Sequence, residues 1–150
     1  MGQSLAKNYL HIIFSTKHRR PSIDSIIEGR LHDYIGGICR SLECQPIRVG
    51  GYDDHIHILC LLSKKISLVT LMKELKSNSS KWIKTQGEQY KDFFWQDGYG
   101  AFSVSNKQAD SVKNYIMNQR EHHSRVNFKD EYRTILDAHE IDYNEKYVWD

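Results

Sequence analysis

The chain has 150 residues, of which 39% are hydrophobic and 27% are charged, and its formal net charge is +2. That length suffices for one domain with its own hydrophobic core, and the composition excludes an intrinsically disordered chain. The apolar runs are too short to span a bilayer, and the N-terminus lacks the layout of a signal peptide. We therefore expect a cytoplasmic protein without a membrane partner. Its single domain would cover residues 1–150, with a C-terminal tail from about residue 125.

The first half of the chain predicts three strands and two helices. Residues 9–16 are rich in aromatic and β-branched side chains, as in a strand, and residues 22–42 repeat apolar side chains at helical spacing. Residues 46–62 have the pattern of two strands joined by the turn sequence Gly-Gly-Tyr-Asp-Asp. A second helix follows, for which Ser67 is a suitable N-cap.

The second half predicts shorter strands and further helices. Strand patterns occupy residues 93–95 and 101–104, and residues 132–139 have some helical character. Residues 105–123 begin with Ser-Asn-Lys-Gln, which has the spacing of a capping box and predicts a helix there. The order of strands and helices favours an α+β sandwich of the ferredoxin-like type, in which an antiparallel sheet packs against helices.

Basic residues are unevenly distributed along the chain. Six lysines lie in the segment from Lys64 to Lys84, which holds one glutamate. Such a concentration is typical either of a solvated helix face or of a surface that binds an anionic partner. The charge pattern alone leaves both interpretations open.

Two histidines occur two residues apart in an otherwise apolar strand. Because alternate side chains of a strand point to the same face, His55 and His57 share one side, roughly 7 Å apart along the strand. Both imidazoles can then converge on one metal ion. A pair of hydrogen-bonded histidines at a strand end is the alternative, and two ligands leave most metal sites incomplete.

A tyrosine and a glutamine have the spacing of one helical turn. Tyr115 and Gln119 would lie on the same face of the helix predicted for this region. The amide oxygen of Gln119 is a suitable ligand for a hard divalent ion, and the phenol of Tyr115 is a nucleophile once activated. The same spacing also fits the polar edge of a packed stripe that includes Val112 and Ile116.

Five stretches of the chain, in this order, resemble the single-tyrosine HUH transposases of the simplest bacterial insertion sequences, the IS200-like family. They are HIIFSTKHRRP, DHIHIL, WQDGYGAFSVS, YIMNQREHH and IDYNEKYVWD. The histidine pair, followed some sixty residues later by Tyr-x-x-x-Gln, is specific as a combination. The resemblance covers nearly the whole chain and implies the HUH-endonuclease version of the ferredoxin-like fold.

The resemblance implies a role for each residue of this combination. His55 and His57 would be the HUH histidines, Gln119 the third metal ligand and Tyr115 the nucleophile. The family cuts and rejoins single-stranded DNA with Mg²⁺ or Mn²⁺, through a 5′-phosphotyrosine and a free 3′-hydroxyl. The covalent intermediate conserves the bond energy, so no ATP is needed.

The resemblance also implies partners. Members of the family form homodimers, in which the tyrosine-bearing helix can complete the active site of the other subunit, and they recognise hairpins in the DNA ends. The candidate phosphate contacts are Lys17, Arg19, Arg20, Lys73, Lys76 and Lys84. Three aromatic residues are candidates for base stacking, although core packing is the alternative for the tryptophans: Trp82, Trp95 and Tyr99.

A different function remains open at this point. A domesticated relative would bind hairpin DNA or RNA with little or no cutting activity, since a ferredoxin-like sheet also serves RNA-binding modules. The presence of both histidines, the tyrosine and the glutamine counts against this alternative, because a protein that only binds has no need of all four. His122 and His123 are further candidates for phosphate contact or for capping of the helix end.

Overall fold

The structure, a computed structural model, describes residues 2–150. Across these residues there are four strands: β1 (Asn8–Ser15), β2 (Pro46–Gly51), β3 (His55–Leu62) and β4 (Gly100–Val104). The helices are α1 (Glu28–Ser41), α2 (Leu68–Lys84), α3 (Ala109–Met117), α4 (Gln119–His122) and α5 (Phe128–Ala138). The strands form one antiparallel sheet in the order β2-β3-β1-β4, which confirms the predicted α+β fold.

One face of the sheet is apolar and packs against α1 and α2. Alternation along the two inner strands directs a set of fully buried side chains to this face: Ile12, Phe14, Ile56, Ile58 and Cys60. They meet buried residues of the two helices, among them Leu31, Ile35, Leu71 and Leu75. Burial of this apolar area is the main favourable contribution to folding.

The opposite face carries the histidines. The register of β1 and β3 pairs Ser15 with His55 and Ile13 with His57, so both imidazoles project from an inner strand. Beside them α5 packs through a second apolar cluster, which consists of Ile13, Phe102, Phe128, Tyr132 and Leu136. The C-terminal segment therefore covers the same face as the histidines.

Two adjacent glycines at the end of β2 permit close packing on this face of the sheet. A Cβ atom on Gly50 would lie 2.8 Å from the carbonyl oxygen of Ile116, so only glycine lets α3 cross β2 this closely. Gly51 has a φ of 153°, and a Cβ atom there would collide with the carbonyl oxygen of His55. The turn into β3 and the position of α3 both depend on this pair.

The boundaries of several elements differ from the prediction. Helix α1 begins at Glu28, six residues later than expected, because residues 25–27 form a turn first. Residues 93–95 make one isolated bridge, between Trp95 and Thr16, and no strand. The predicted N-cap of α2 is confirmed, since the Ser67 side chain accepts from the backbone N–H of Thr70.

The predicted helix over residues 105–123 is divided in the structure. Its first turn does not form, because the backbone N–H of Gln108 bonds to the carbonyl oxygen of Ser105 and no side chain caps α3. The helix also breaks at Asn118, with φ −100° and ψ 19°, before α4. Within residues 2–150, no helix is both long and apolar enough to cross a membrane.

Candidate active site

The two histidines lie at the start of β3, and neither side chain is exposed. The Nδ1 atom of His55 is 2.7 Å from Oδ1 of Asp54. Since a carboxylate can only accept, this Nδ1 atom donates, which leaves Nε2 as the ring nitrogen that faces the site. Asp54 therefore sets the tautomer and the orientation that a metal ligand requires.

A third histidine supports His57 from the neighbouring strand. Nε2 of His11 is 2.8 Å from Nδ1 of His57, and both rings are buried. Burial lowers the pKa of His57 to about 4 and that of His11 to about 3. Both imidazoles are therefore neutral at pH 7, and neutral imidazole is the form that binds metal ions.

The structure brings Tyr115 and Gln119 to the histidines of the same chain. Despite the break at Asn118, Oε1 of Gln119 is 2.9 Å from Nε2 of His55, and the Gln119 side chain is buried. The ring of Tyr115 stands edge-on to that of His57, with 5.7 Å between their centroids. One chain thus holds all four residues singled out in the sequence.

A buried carboxylate on α5 completes the cluster. Oε1 of Glu131 is 3.2 Å from Nε2 of His57 and 3.1 Å from Nε2 of His123. Its Oε2 atom accepts hydrogen bonds from the Tyr115 hydroxyl and from Nε2 of Gln119. The site therefore contains an ionisable group that contacts both His57 and Tyr115.

The contacts of Glu131 determine its charge and that of its neighbours. Burial opposes ionisation of Glu131, but the hydrogen bonds from His123 and His57 outweigh it and hold the pKa of this carboxyl far below its usual range. Burial, with the adjacent charge of Glu131, raises the pKa of Tyr115 above its ordinary value. The phenol is therefore protonated at rest and donates a hydrogen bond to an ionised carboxylate.

The donor atoms fit a divalent cation. Nε2 of His55 and Oε1 of Gln119 lie 2.9 Å apart, and each atom is of a type that coordinates metal ions. Adjacent ligands of an octahedral ion with bonds of about 2.1 Å are about 3 Å apart, which matches this spacing. The possible ligand atoms of His55, His57 and Glu131 lie within 4.8 Å of one another.

Comparisons with known proteins agree with this geometry. Residues 4–119 match the family model described as "Transposase IS200 like". The IS200 transposase of Salmonella typhimurium is 31% identical over 123 residues, which are 74% of this chain and 76% of the relative, and that of Salmonella typhi matches equally. The chain belongs to the IS200-like transposase family.

Two solved structures share the fold of this transposase. A candidate transposase of Deinococcus radiodurans has a TM-score of 0.62 at 20% identity, over 79% of this chain and 96% of the other. A REP-associated tyrosine transposase bound to a REP hairpin has a TM-score of 0.61 at 15% identity, over 84% of this chain and 74% of the other.

The six basic residues singled out in the transposase sequence lie in different surroundings. Lys17, Arg20 and Lys73 are exposed. The guanidinium of Arg19 donates to the carbonyl oxygen of Trp149 at 2.8 Å. The ammonium of Lys84 lies 4.3 Å from the ring centroid of Phe94.

Lys76 differs from the other basic residues because its ammonium is engaged inside the protein. It donates to the carbonyl oxygens of Gln96, Asp97 and Gly98. Burial lowers its pKa to about 8. These contacts fix the loop that precedes β4.

The aromatic residues proposed for base stacking are mostly packed. Trp95 is buried, and its indole N–H donates to the Ser79 hydroxyl at 2.9 Å. Trp82 is partly buried and stacks on Tyr34, with 4.6 Å between centroids. Tyr99 is also partly buried. Phe94 was not singled out as a candidate for stacking, yet its side chain is 54% exposed beside Lys84.

Three residues of the site were not singled out in the sequence. Asp54 directly precedes His55, and a turn carboxylate next to a candidate ligand histidine is a usable signal. His11 interrupts the apolar alternation of the first strand, which is a second signal. No comparable signal in the sequence marks Glu131, because it is one of several acidic residues in an amphipathic helix until α5 folds across the sheet.

Proposed function

We propose that this transposase cuts and rejoins single-stranded DNA at the ends of an insertion sequence, with Tyr115 as the nucleophile. One observation carries the proposal: a single cluster on one sheet face holds the Tyr115 hydroxyl, Nε2 of both histidines and the amide oxygen of Gln119. Membership of the IS200-like family supports DNA as the substrate.

The cutting step proposed for Tyr115 replaces one phosphate ester by another. The phenolic oxygen forms a bond to phosphorus while the bond from phosphorus to the 3′ oxygen breaks. The phenolic proton leaves Tyr115, and the departing 3′ oxygen takes up a proton to become a free hydroxyl. Attack by a second 3′-hydroxyl on the 5′-phosphotyrosine then releases Tyr115 and joins new DNA ends, so the sequence of steps needs no ATP.

The metal ligands proposed for this reaction are His55, His57 and Gln119. A bound Mg²⁺ or Mn²⁺ would supply positive charge for the non-bridging oxygens of the scissile phosphate. The chain would contribute the imidazoles of His55 and His57 and the amide oxygen of Gln119, which already lie in one cluster, and His57 would bind the ion as the tautomer whose Nε2 atom carries no proton. Pre-formed ligands of this kind lower the cost of reaching the reactive geometry.

The DNA partner proposed is a single strand with hairpin ends. The structural neighbour that is bound to a REP hairpin supports this choice. Phosphates would contact the exposed side chains of Lys17, Arg20 and Lys73, with Lys84 beside Phe94 as a stacking surface. A homodimer, implied by the family resemblance, stays a prediction, and each chain of it would already hold a complete set of site residues.

A covalent-adduct assay tests the proposal. The protein is mixed with Mg²⁺ and 3′-labelled single-stranded DNA from the flanks of its own gene, and the products are run on a denaturing protein gel. We expect a labelled protein band that Tyr115→Phe abolishes while hairpin binding is retained, because this change removes only the nucleophilic oxygen. Tyr147→Phe, at an exposed position, is the matched control.

Two results would contradict the proposal in different ways. Cleavage by Tyr115→Phe at the normal rate would refute the choice of nucleophile. The absence of any labelled band, with tight hairpin binding, would instead favour the alternative of a hairpin-binding relative without cutting activity.

A further inference from the structure

The C-terminal helix contributes a charged group to a site whose proposed nucleophile and metal ligands lie within the family-matching segment, residues 4–119. Helix α5 packs on the sheet through side chains at i, i+4 and i+8, namely Phe128, Tyr132 and Leu136. Glu131 follows one turn after Phe128, whose ring stacks on His55 at 4.7 Å. This packing directs the carboxylate at the histidines and leaves its side chain only 2% exposed.

The position of Glu131 matches that of a metal ligand. Its Oε1 atom lies 3.2 Å from Nε2 of His57 and 3.6 Å from Nε2 of His55. Those separations are close to the spacing of about 3 Å between neighbouring ligands of one divalent ion. Oε1 of Gln119 lies 2.9 Å from the same Nε2 atom of His55, so His55 is within reach of both oxygen donors.

Charge balance at the site also favours an anionic metal ligand. Two neutral imidazoles and one amide leave a divalent cation uncompensated in a region where the histidines are fully buried. A buried charge is stable only when it is paired or coordinated, and hard divalent ions favour carboxylate oxygens. Oε1 of Glu131 lies within 4 Å of the Nε2 atoms of both histidines, whereas Asp54 contacts only Nδ1 of His55.

We propose that Glu131 is a fourth, anionic ligand of the metal ion, so that α5 is part of the catalytic centre. The inference rests on the function proposed above, because it assumes a metal ion at the histidines. Oε1 would bind the ion, while Oε2 keeps the hydrogen bond from the Tyr115 hydroxyl. One carboxylate would thereby fix the distance between the nucleophile and the ion.

A Mn²⁺ titration tests the assignment without any measurement of activity. The electron paramagnetic resonance signal of free Mn²⁺ is recorded as protein is added, for the wild type and for Glu131→Gln. The glutamine keeps the shape of the side chain and its hydrogen-bonding capacity but removes the charge. We expect the affinity for Mn²⁺ to fall at least about tenfold, which is the lower end of the loss seen when groups that support a metal site are changed.

Two variants serve as controls. Asp137→Asn removes a charge of the same sign from an exposed position on the same helix and should bind Mn²⁺ as the wild type does. His57→Ala should lose Mn²⁺ binding, because it removes a ligand of the proposed function. Thermal unfolding without metal shows whether each variant is folded.

The possible outcomes distinguish the proposed role of Glu131 from the proposed function of the site. Equal or tighter Mn²⁺ binding by Glu131→Gln, with binding lost in His57→Ala, would overturn the role of Glu131 and leave the proposed function intact. If Glu131→Gln and His57→Ala both bind Mn²⁺ as tightly as the wild type does, the proposed metal site at the histidines is refuted. If Glu131→Gln does not fold, Glu131→Asp replaces it: the shorter acid keeps the charge but draws the oxygens back, and undiminished affinity would overturn the assignment.

Discussion

Gly50 offers a test of how the sheet positions the nucleophile. A Cβ atom at this position would lie 2.8 Å from the carbonyl oxygen and from Cγ2 of Ile116, the residue that follows Tyr115. Ordinary van der Waals contact begins at 3.4 Å, so Gly50→Ala requires α3 to retreat by about 0.6 Å, the difference between 3.4 and 2.8 Å. The backbone oxygen cannot rotate away as a flexible side chain would.

Two effects should follow from that displacement. Overpacking of this kind typically costs about 1–3 kcal/mol of unfolding free energy, which corresponds to a melting temperature lower by about 3–10 °C for a chain of this size. A displacement of about 1 Å at a reacting group can reduce the rate about 100-fold, so the smaller shift of Tyr115 should slow adduct formation about tenfold or more.

The rate of the labelled adduct and the melting temperature are measured on the same preparations. Gly37→Ala is the matched control, because a Cβ atom there meets nothing within 4 Å and the position lies inside α1. That control should gain about 0.5–1 kcal/mol of stability through helix propensity and keep the wild-type rate. Wild-type adduct formation by Gly50→Ala would refute the idea that close packing of α3 sets the position of Tyr115.

Two further changes test groups that support the site. Asp54→Asn should weaken Mn²⁺ binding about tenfold or more, since the neutral amide is a weaker partner for Nδ1 of His55; an unchanged titration would contradict the role given to Asp54. Lys76→Met should lower the free energy of unfolding in urea by about 1–3 kcal/mol, because carbonyl oxygens of the loop before β4 lose a charged donor. It should leave the salt dependence of hairpin binding unchanged, whereas a slope lower by about one would show a phosphate contact.

The sheet and the spacing of the site were accessible from the sequence because they depend on local periodicity. Alternation along β3 places His55 and His57 on one face, and the structure has them there. The four-residue interval brings Tyr115 and Gln119 to the same cluster even though the helix breaks at Asn118. A small deviation in φ and ψ changes the assignment of a helix without moving its side chains to another face.

The remaining features depend on contacts between distant segments. The capping-box pattern at Ser105 fails because that residue enters a turn, whose geometry a four-residue motif does not determine. Trp95 makes only one bridge, to Thr16, and its indole contacts Ser79, so both of its partners are distant in the sequence. Glu131 becomes buried only when α5 folds across the sheet, an event for which its own neighbours in the sequence carry no pattern.

The location of the histidines on an inner strand has a consequence for how the site opens. Strand β3 is hydrogen-bonded on both sides, to β1 and β2, so we expect its amide protons to be among the last to exchange with solvent. Helices α3 to α5 contact the histidines of that strand through side chains and not through a backbone ladder, so we expect them to open at a lower free energy. Hydrogen exchange should therefore be slowest in β3 and faster in the helices above it. Of the site residues, only His55 and His57 belong to that strand, so an opening of the helices would separate these two histidines from Tyr115, Gln119 and Glu131 together.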